Sequence, residues 1–252
     1  MKYPALVPGI LRRRYKRFLA DVELAGGELV VAHCPNTGSM RAVNVPGCRV
    51  WLAPSTNPAR KLAWTWELIE LPQPDGGVAL ASVHTGRANG IVEEALLAGR
   101  IPSLAGYAWL KREAKVDGAR LDFRLDDPQR GTTFVEVKQV TLKERDGHGY
   151  FPDAVSERGT RHLETLARLA AEGQRAVLLF CVAHTGIDDV APAAHLDPVY
   201  AETLRRVCQA GVEVLAYACD VERETQRPVA IGLGRSLPVS LQRELAASSP
   251  VD

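Results

Sequence analysis

The sequence predicts two units in tandem, a small β-barrel over residues 1–83 and an α/β domain over residues 84–252. Three observations carry this division. Residues 1–83 hold about five short runs of alternating apolar residues, punctuated by Gly and Pro and free of helical periodicity. From about residue 84, helix-period and strand-period segments alternate. The charge also divides: residues 1–83 carry 10 Lys+Arg against 6 Asp+Glu, a balance of +4, and residues 84–252 carry 21 against 24, a balance of −3. The positive end is the one suited to meet an anion.

In the first unit, Phe18, Ala20, Val22 and Leu24 share one face of a strand expected over 16–24, which Gly26-Gly27 ends before a second run over 28–33. Further strands are expected over 48–53, over 62–71 with Leu62, Trp64, Trp66 and Leu68 on one side, and over 78–83. In the second unit, Asn89 is placed to cap a helix that runs to Ala98 and stops at Gly99. Strands follow over 110–116, 120–125 and 133–140. A helix over 155–172 has Leu163, Leu166, Ala167 and Ala170 at helical spacing. The run 176–182 is apolar throughout, as a strand covered on both faces is. A helix over 198–210 and a strand over 212–218 complete the α/β core, and the tail from Ser248 to Asp252 is expected to fray.

Composition excludes several classes. With 46% hydrophobic and 24% charged residues, the 252-residue chain is neither disordered nor fibrous. No apolar run reaches the length of about 18 residues that spans a bilayer, and Met1-Lys2-Tyr3-Pro4 does not open a signal peptide. A cytoplasmic protein without a membrane partner is expected. The five cysteines form no C-x-x-C pair, so neither a zinc ribbon nor a disulfide framework is indicated.

The chemistry converges on three strands. Asp117-Gly118 is a two-residue hairpin signal, and paired residue numbers across it sum to 235, which sets Glu113 opposite Asp122. Centring the next connection on Gln129 gives pairs that sum to 258, so that Asp122 faces Glu136. Ala114, Leu121, Phe123, Val135 and Val137 then share an apolar face, and Glu113, Asp122, Glu136 and Lys138 share the other. Cross-strand neighbours stand about 5 Å apart, and acids that close repel unless a cation intervenes. Hard oxygen ligands suit Mg2+ or Mn2+. Asp122 and Glu136 are therefore candidate metal ligands, Glu94 or Glu113 a further acid, and Lys138 a group to orient water or stabilise the transition state of phosphodiester hydrolysis.

Cations frame this site. Lys115 and Arg120 form a rim, and Arg158, Arg161 and His162 lie on the first turns of the following helix, in reach of phosphate. Asp153 is placed as a cap for that helix. In the first unit Arg12, Arg13, Arg14, Tyr15, Lys16 and Arg17 interleave charge with an aromatic ring, as a nucleic-acid groove does. The segment His33-Cys34-Pro35-Asn36-Thr37-Gly38-Ser39-Met40 reads as a structural loop.

The chain resembles the sugar fermentation stimulation protein A family from end to end. The resemblance rests on residues 14–22 (RYKRFLADV), 33–38 (HCPNTG), 65–68 (TWEL), 120–123 (RLDF), 135–142 (VEVKQVTL) and 149–159 (GYFPDAVSERG), followed by His162-Leu163. It implies an N-terminal OB-fold joined to a restriction-endonuclease-like domain, DNA as partner, and a link to the regulation of maltose metabolism. The nuclease-like pattern of an acid followed by Glu-x-Lys, written PD-(D/E)xK, falls on Asp122, Glu136 and Lys138, with Glu94 or Glu113 upstream. The expected activity is a Mg2+- or Mn2+-dependent DNA nuclease, and a homodimer suits cutting of two antiparallel strands. Two alternatives stay open: a non-catalytic DNA-binding regulator of sugar metabolism genes, and a nuclease or binding protein directed at RNA.

Overall fold

The computed structural model describes residues 1–116, 118–243 and 245. Asp117 of the expected hairpin turn and the tail from Ser248 to Asp252 lie outside the described residues. The chain opens with six strands: β1 (Val7–Tyr15), β2 (Leu19–Leu24), β3 (Leu29–His33), β4 (Arg49–Pro54), β5 (Trp64–Pro72) and β6 (Val78–Ser82). They follow the order β3-β2-β1-β4-β5-β6. A parallel pairing of Ala32 with Trp64 and of His33 with Thr65 joins β3 to β5 and closes the first five into an OB-fold barrel. Leu11, Val22, Val50, Leu52, Trp66 and Ile69 fill it without exposure.

Two local readings change. β1 was not expected, because Pro8, Gly9 and a run of cations mask its alternation; Gly9 and Leu11 are the residues it buries. A Cβ at Gly9 would stand 2.4 Å from Val22 Cγ1, so the close approach of β1 to β2 requires glycine there. The strand expected from residue 16 starts at Leu19 instead, because Lys16 and Arg17 (φ 47° and 65°) make the left-handed turn between β1 and β2.

The second unit begins with α1 (Arg87–Leu97) and a short 3-10 turn at Pro102–Leu104. The strands β7 (Trp109–Val116), β8 (Ala119–Asp127) and β9 (Gly131–Val140) follow, then two short strands, β10 (Leu142–Lys143) and β11 (Gly149–Phe151). The chain continues through α2 (Glu157–Ala171), β12 (Arg175–Val182), β13 (Val190–Pro192), α3 (Pro198–Gln209), β14 (Glu213–Glu224) and β15 (Arg227–Leu237). The main sheet has the order β15-β14-β12-β9-β8-β7, with β12 parallel to both β9 and β14 and the outer pairings antiparallel. Together these form an α/β domain around a mixed six-stranded sheet.

The sheet is apolar on both faces, and this corrects the expectation of one polar face. α1 covers one side, with Ile91, Val92 and Ala95 packed among Phe123, Val135, Val177 and Leu179. α2 and α3 cover the other, where Leu163, Leu166 and Leu204 meet Leu121, Phe134, Leu178 and Phe180. Central parallel strands take this form because helices screen both their faces. The first of these cores also takes in Trp51, Leu68 and Leu80 from the barrel, so the two units share buried apolar surface. Their junction holds an ion pair between Arg87 of α1 and Glu67 of β5, at 2.5 and 2.6 Å. The N-terminal residues pair with β15: the Tyr3 N–H donates to Val229 O and the Ile231 N–H to Met1 O. Among the described residues no helix is long and apolar enough to cross a membrane.

Candidate active site

β8 and β9 pair regularly from Asp127 opposite Gly131 to Phe123 opposite Val135, at the expected sum of 258, and the ladder then ends. Asp122, the next residue, is also absent from the ladder with β7, which pairs Arg112 with Phe123 and resumes at Ala114 with Leu121. The interruption turns the strand, so that Phe123 packs on the α1 side of the sheet and Leu121 on the α2 side. It also frees the Asp122 carboxylate. Oδ2 accepts the Val137 N–H at 2.8 Å and Oδ1 accepts Asn89 Nδ2 at 2.7 Å.

Glu136, on β9, has 2% of its surface exposed. Its Oε1 accepts Lys138 Nζ at 2.6 Å and is bonded to His162 Nδ1, whereas its buried Oε2 has no hydrogen-bond partner. These residues line a pocket of about 330 Å³ between the barrel and the α/β domain. Asn36 from the barrel, Thr85 and Asn89 from the junction and α1, Asp153 from the loop after β11, and Arg158 and His162 from α2 share the lining.

The two carboxylates sit in different fields. Burial raises the Asp122 carboxyl above its ordinary range and the Glu136 charge adds to this, against the opposing bonds from Val137 and Asn89. Burial also pushes Glu136 upward, but the bond to His162 and the charge and bond of Lys138 outweigh it and hold that carboxyl below its usual value. A buried carboxylate oxygen without a donor, beside a second carboxylate destabilised by its neighbour, is what a bound cation would relieve. The donor set therefore fits a hard divalent ion. Among the described residues no group of three or more His, Cys, Asp and Glu side chains converges on one point. Two carboxylates supply part of the oxygen shell of such an ion, and water or phosphate oxygens would supply the remainder.

Of the expected site residues, Asp122, Glu136, Lys138 and Arg158 line the pocket. Glu113 and Glu94 do not. Glu113 adopts φ 50° where the ladder is interrupted and pairs with Arg120 at 3.3 Å on the exposed side of the hairpin, although its residue number falls opposite Asp122. Alternation predicts a side chain's direction only where both strands keep regular geometry. Glu94 bonds the Met1 α-amino group at 2.5 Å, in a separate pocket. Lys115 is exposed beside Arg120 on the hairpin, and Arg161 is exposed and pairs with Glu157 at 3.8 Å.

The basic run of β1 is mostly engaged within the barrel. Arg12 bonds Glu23 and Arg13 bonds Asp21, each at 2.6 Å, and the Arg13 guanidinium lies over the Tyr15 ring. Arg14 Nη2 donates to the carbonyls of Arg17, Asn36 and Gly38, and Arg17 Nε to that of Thr37. Lys16 stands exposed in the turn. Arg14 and Arg17 thus clamp the 36–38 loop, which supplies Asn36 to the pocket wall. The Asp153 carboxylate secures the far end of that loop by accepting from Ser39 Oγ and the Met40 N–H, at 2.8 and 3.0 Å.

Three further residues of the pocket lining take parts that the sequence pattern does not give. The sequence places Asn89 as a helix cap, but α1 starts at Arg87 and the Asn89 amide is directed to Asp122. Asp153 stands where a cap for α2 is expected, a role that Ser156 fills by accepting the Gly159 N–H. A Cβ at Gly159 would stand 2.7 Å from Ser156 Oγ, so this tight cap excludes other residues. His162 is expected in reach of phosphate, whereas its ring meets Glu136. The helical phase of α2 would have put His162 beside Leu163 and Leu166 on the sheet-facing side, and that signal was available.

Comparison with known proteins agrees with this architecture. The family model described as the sugar fermentation stimulation protein RE domain matches residues 86–225, and that of the SfsA N-terminal OB domain matches residues 13–80. A sugar fermentation stimulation protein homolog of Chromohalobacter salexigens is 69% identical over all of this chain and 99% of its own length. One of Pseudomonas paraeruginosa is 54% identical over 94% of this chain and 98% of its own. The structure of Pyrococcus furiosus SfsA in complex with Ca2+ superposes with a TM-score of 0.82 at 28% identity, covering 95% of this chain and 98% of that one. With both halves matched in order and a relative alike along its whole length, the chain belongs to the sugar fermentation stimulation protein A family.

Proposed function

We propose that this protein is a divalent-metal-dependent DNA nuclease that hydrolyses phosphodiester bonds in the pocket between the barrel and the α/β domain. The observation that carries the proposal is the unpartnered, buried Glu136 Oε2 beside Asp122, with Lys138 2.6 Å from the other Glu136 oxygen. The Ca2+ complex of the Pyrococcus furiosus relative supports a divalent-ion site in the family.

Asp122 and Glu136 would hold Mg2+ or Mn2+. When bound, such an ion supplies an activated water and offsets the charge that develops on the phosphoryl oxygens. Lys138 carries the ammonium that orients the attacking water and stabilises the added negative charge. Arg158, exposed on α2 and part of the pocket lining, offers a guanidinium to a phosphate oxygen. Asn89 and the Val137 N–H keep the Asp122 carboxylate in one orientation. Asn36 brings a barrel side chain to the pocket wall, so a strand in the pocket meets both units.

The test is cleavage of supercoiled plasmid and of single-stranded DNA by the purified protein with Mg2+, Mn2+ or chelator, alongside Asp122→Asn. Metal-dependent cleavage should fall at least about 100-fold in the variant, as loss of a group acting on transition-state charge does, while DNA binding is retained. DNA bound but left intact by the wild-type protein under all these conditions would shift the reading to the non-catalytic regulator. Stronger competition by RNA than by DNA at fixed salt would reassign the polymer.

A further inference from the structure

Glu136 carries an asymmetry that its role as an acid does not require. Both donors that reach its carboxylate, Lys138 Nζ and His162 Nδ1, converge on Oε1, and Oε2 is left with none. A terminal carboxylate torsion is broad and nearly two-fold, so an unrestrained Glu exchanges its oxygens freely. Two donors on one oxygen remove that freedom. Lys138 extends from the same strand, two residues on, and brings a flexible side chain. His162 comes from a different element and is rigidly held, because Ser156 caps the start of α2 and Leu163, Leu166 and Leu169 bury its inner face.

The ring itself is oriented. Arg158, one turn earlier on α2, donates Nε–H to His162 Nε2 at 3.4 Å. With Nε2 accepting, the ring proton sits on Nδ1, which makes Nδ1 the donor to Glu136, while Lys138 Nζ, 3.4 Å from Nδ1, directs its own proton to Glu136 Oε1 at 2.6 Å. A chain of contacts thus runs from Arg158 at the pocket lining through His162 to Glu136.

We propose that His162 is a positioning residue for the divalent ion: without contacting the ion, it fixes Glu136 so that Oε2 is kept as a free ligand oxygen. This rests on reading the pocket as a metal site, and it does not depend on cleavage. Groups that orient metal ligands in this way typically contribute 10- to 100-fold in metal affinity.

The experiment is calorimetric titration of Mn2+ into wild-type protein and the variants His162→Ala, His162→Asn and His162→Gln, with a thermal melt of each. The Asn amide reproduces a donor at the Nδ1 position, and the Gln amide places one near Nε2. Mn2+ affinity should fall about 10- to 100-fold in His162→Ala and His162→Gln, and His162→Asn should stay within about threefold of wild type. Should His162→Ala fail to melt cooperatively, the contrast between Asn and Gln carries the same information. Wild-type affinity in His162→Ala or in His162→Gln, a loss in His162→Asn equal to that in His162→Gln, or absence of Mn2+ binding by the wild-type protein would each overturn the proposal. Mn2+ binding that depends on His162 in a protein that cuts no DNA would support it while removing the nuclease reading, so the two fail separately.

Discussion

On β1 of the barrel and the turn that follows it, four arginines within six residues find carboxylates or carbonyls of their own unit, whereas where β8 and β9 part company Glu136 keeps a buried oxygen without a donor beside the half-buried Asp122. Both clusters suggest nucleic-acid chemistry in the sequence, yet they differ in what folding does to them. The arginines spend their donors on holding a loop and pairing strands. Asp122 and Glu136 are brought together by folding and are only partly neutralised by it. A charged cluster speaks for ligand binding when its partners inside the fold are missing, and much less when they are present.

Several substitutions would sharpen or break this contrast. The largest effect on stability should come from Arg87→Ala, which leaves Glu67, a side chain 3% exposed, buried without its partner. A loss of about 3–5 kcal/mol is expected in urea denaturation, and a loss below about 1 kcal/mol would mean that the junction charge is not structural. Acid should act next through His184, which burial pushes down to about 4 while its Nδ1 accepts the Gly186 N–H. This ring is neutral in the fold and charges on unfolding, so its contribution is complete above about pH 6.5 and is lost as the pH falls toward about 4. The slope is about 1.4 kcal/mol per unit and the total about 3 kcal/mol. His184→Asn should flatten that part of the stability profile, and an unchanged profile would assign it to another group.

Arg14→Ala removes the donor to three carbonyls and should cost about 2 kcal/mol. It should also loosen the 36–38 loop, seen as faster amide exchange there. If the variant instead kept full stability and lost DNA affinity, the groove reading of β1 would return. Asp122→Asn should have the opposite sign. In chelator it relieves a buried like-charge contact and should raise the melting temperature by about 2–4 °C, the shift that ~1 kcal/mol produces in a chain of this size, as is common when a residue serves function at the expense of stability. The smallest effect belongs to Arg12→Ala. Its exposed pair with Glu23 contributes less than about 1 kcal/mol, and with that charge already paired the salt dependence of DNA binding should hardly change.

Much of the architecture was legible because it depends on local pattern. The fully apolar run Ala176–Val182 is buried at the centre of the main sheet, and the strands of the α/β unit pair at the sums of 235 and 258 given by their turns. β1 was not legible, because four of its nine residues are Pro8, Arg12, Arg13 and Arg14, and the alternation signal needs side chains of contrasting polarity. Asp122, Glu136 and Lys138 could be found together since two hairpin registers and one Glu-x-Lys spacing suffice to bring them close. Glu113 could not be excluded in the same way, because its positive φ belongs to a break in the ladder that alternation does not describe.

The sequence by itself thus determined the helices and the central strands though not β1, β13 or β15, that a barrel precedes an α/β unit, and that two acids and a lysine share adjacent strands. Tertiary structure decided what those groups touch. Asn89 lies 33 residues from Asp122 and His162 lies 26 from Glu136, and Arg14 reaches a loop more than 20 residues on. Periodicity and turn length are properties of neighbouring residues and are written in local order. The donor that satisfies a buried carboxylate is chosen only when distant elements close around it, because the cost of leaving such a group unpaired arises only once water has been excluded.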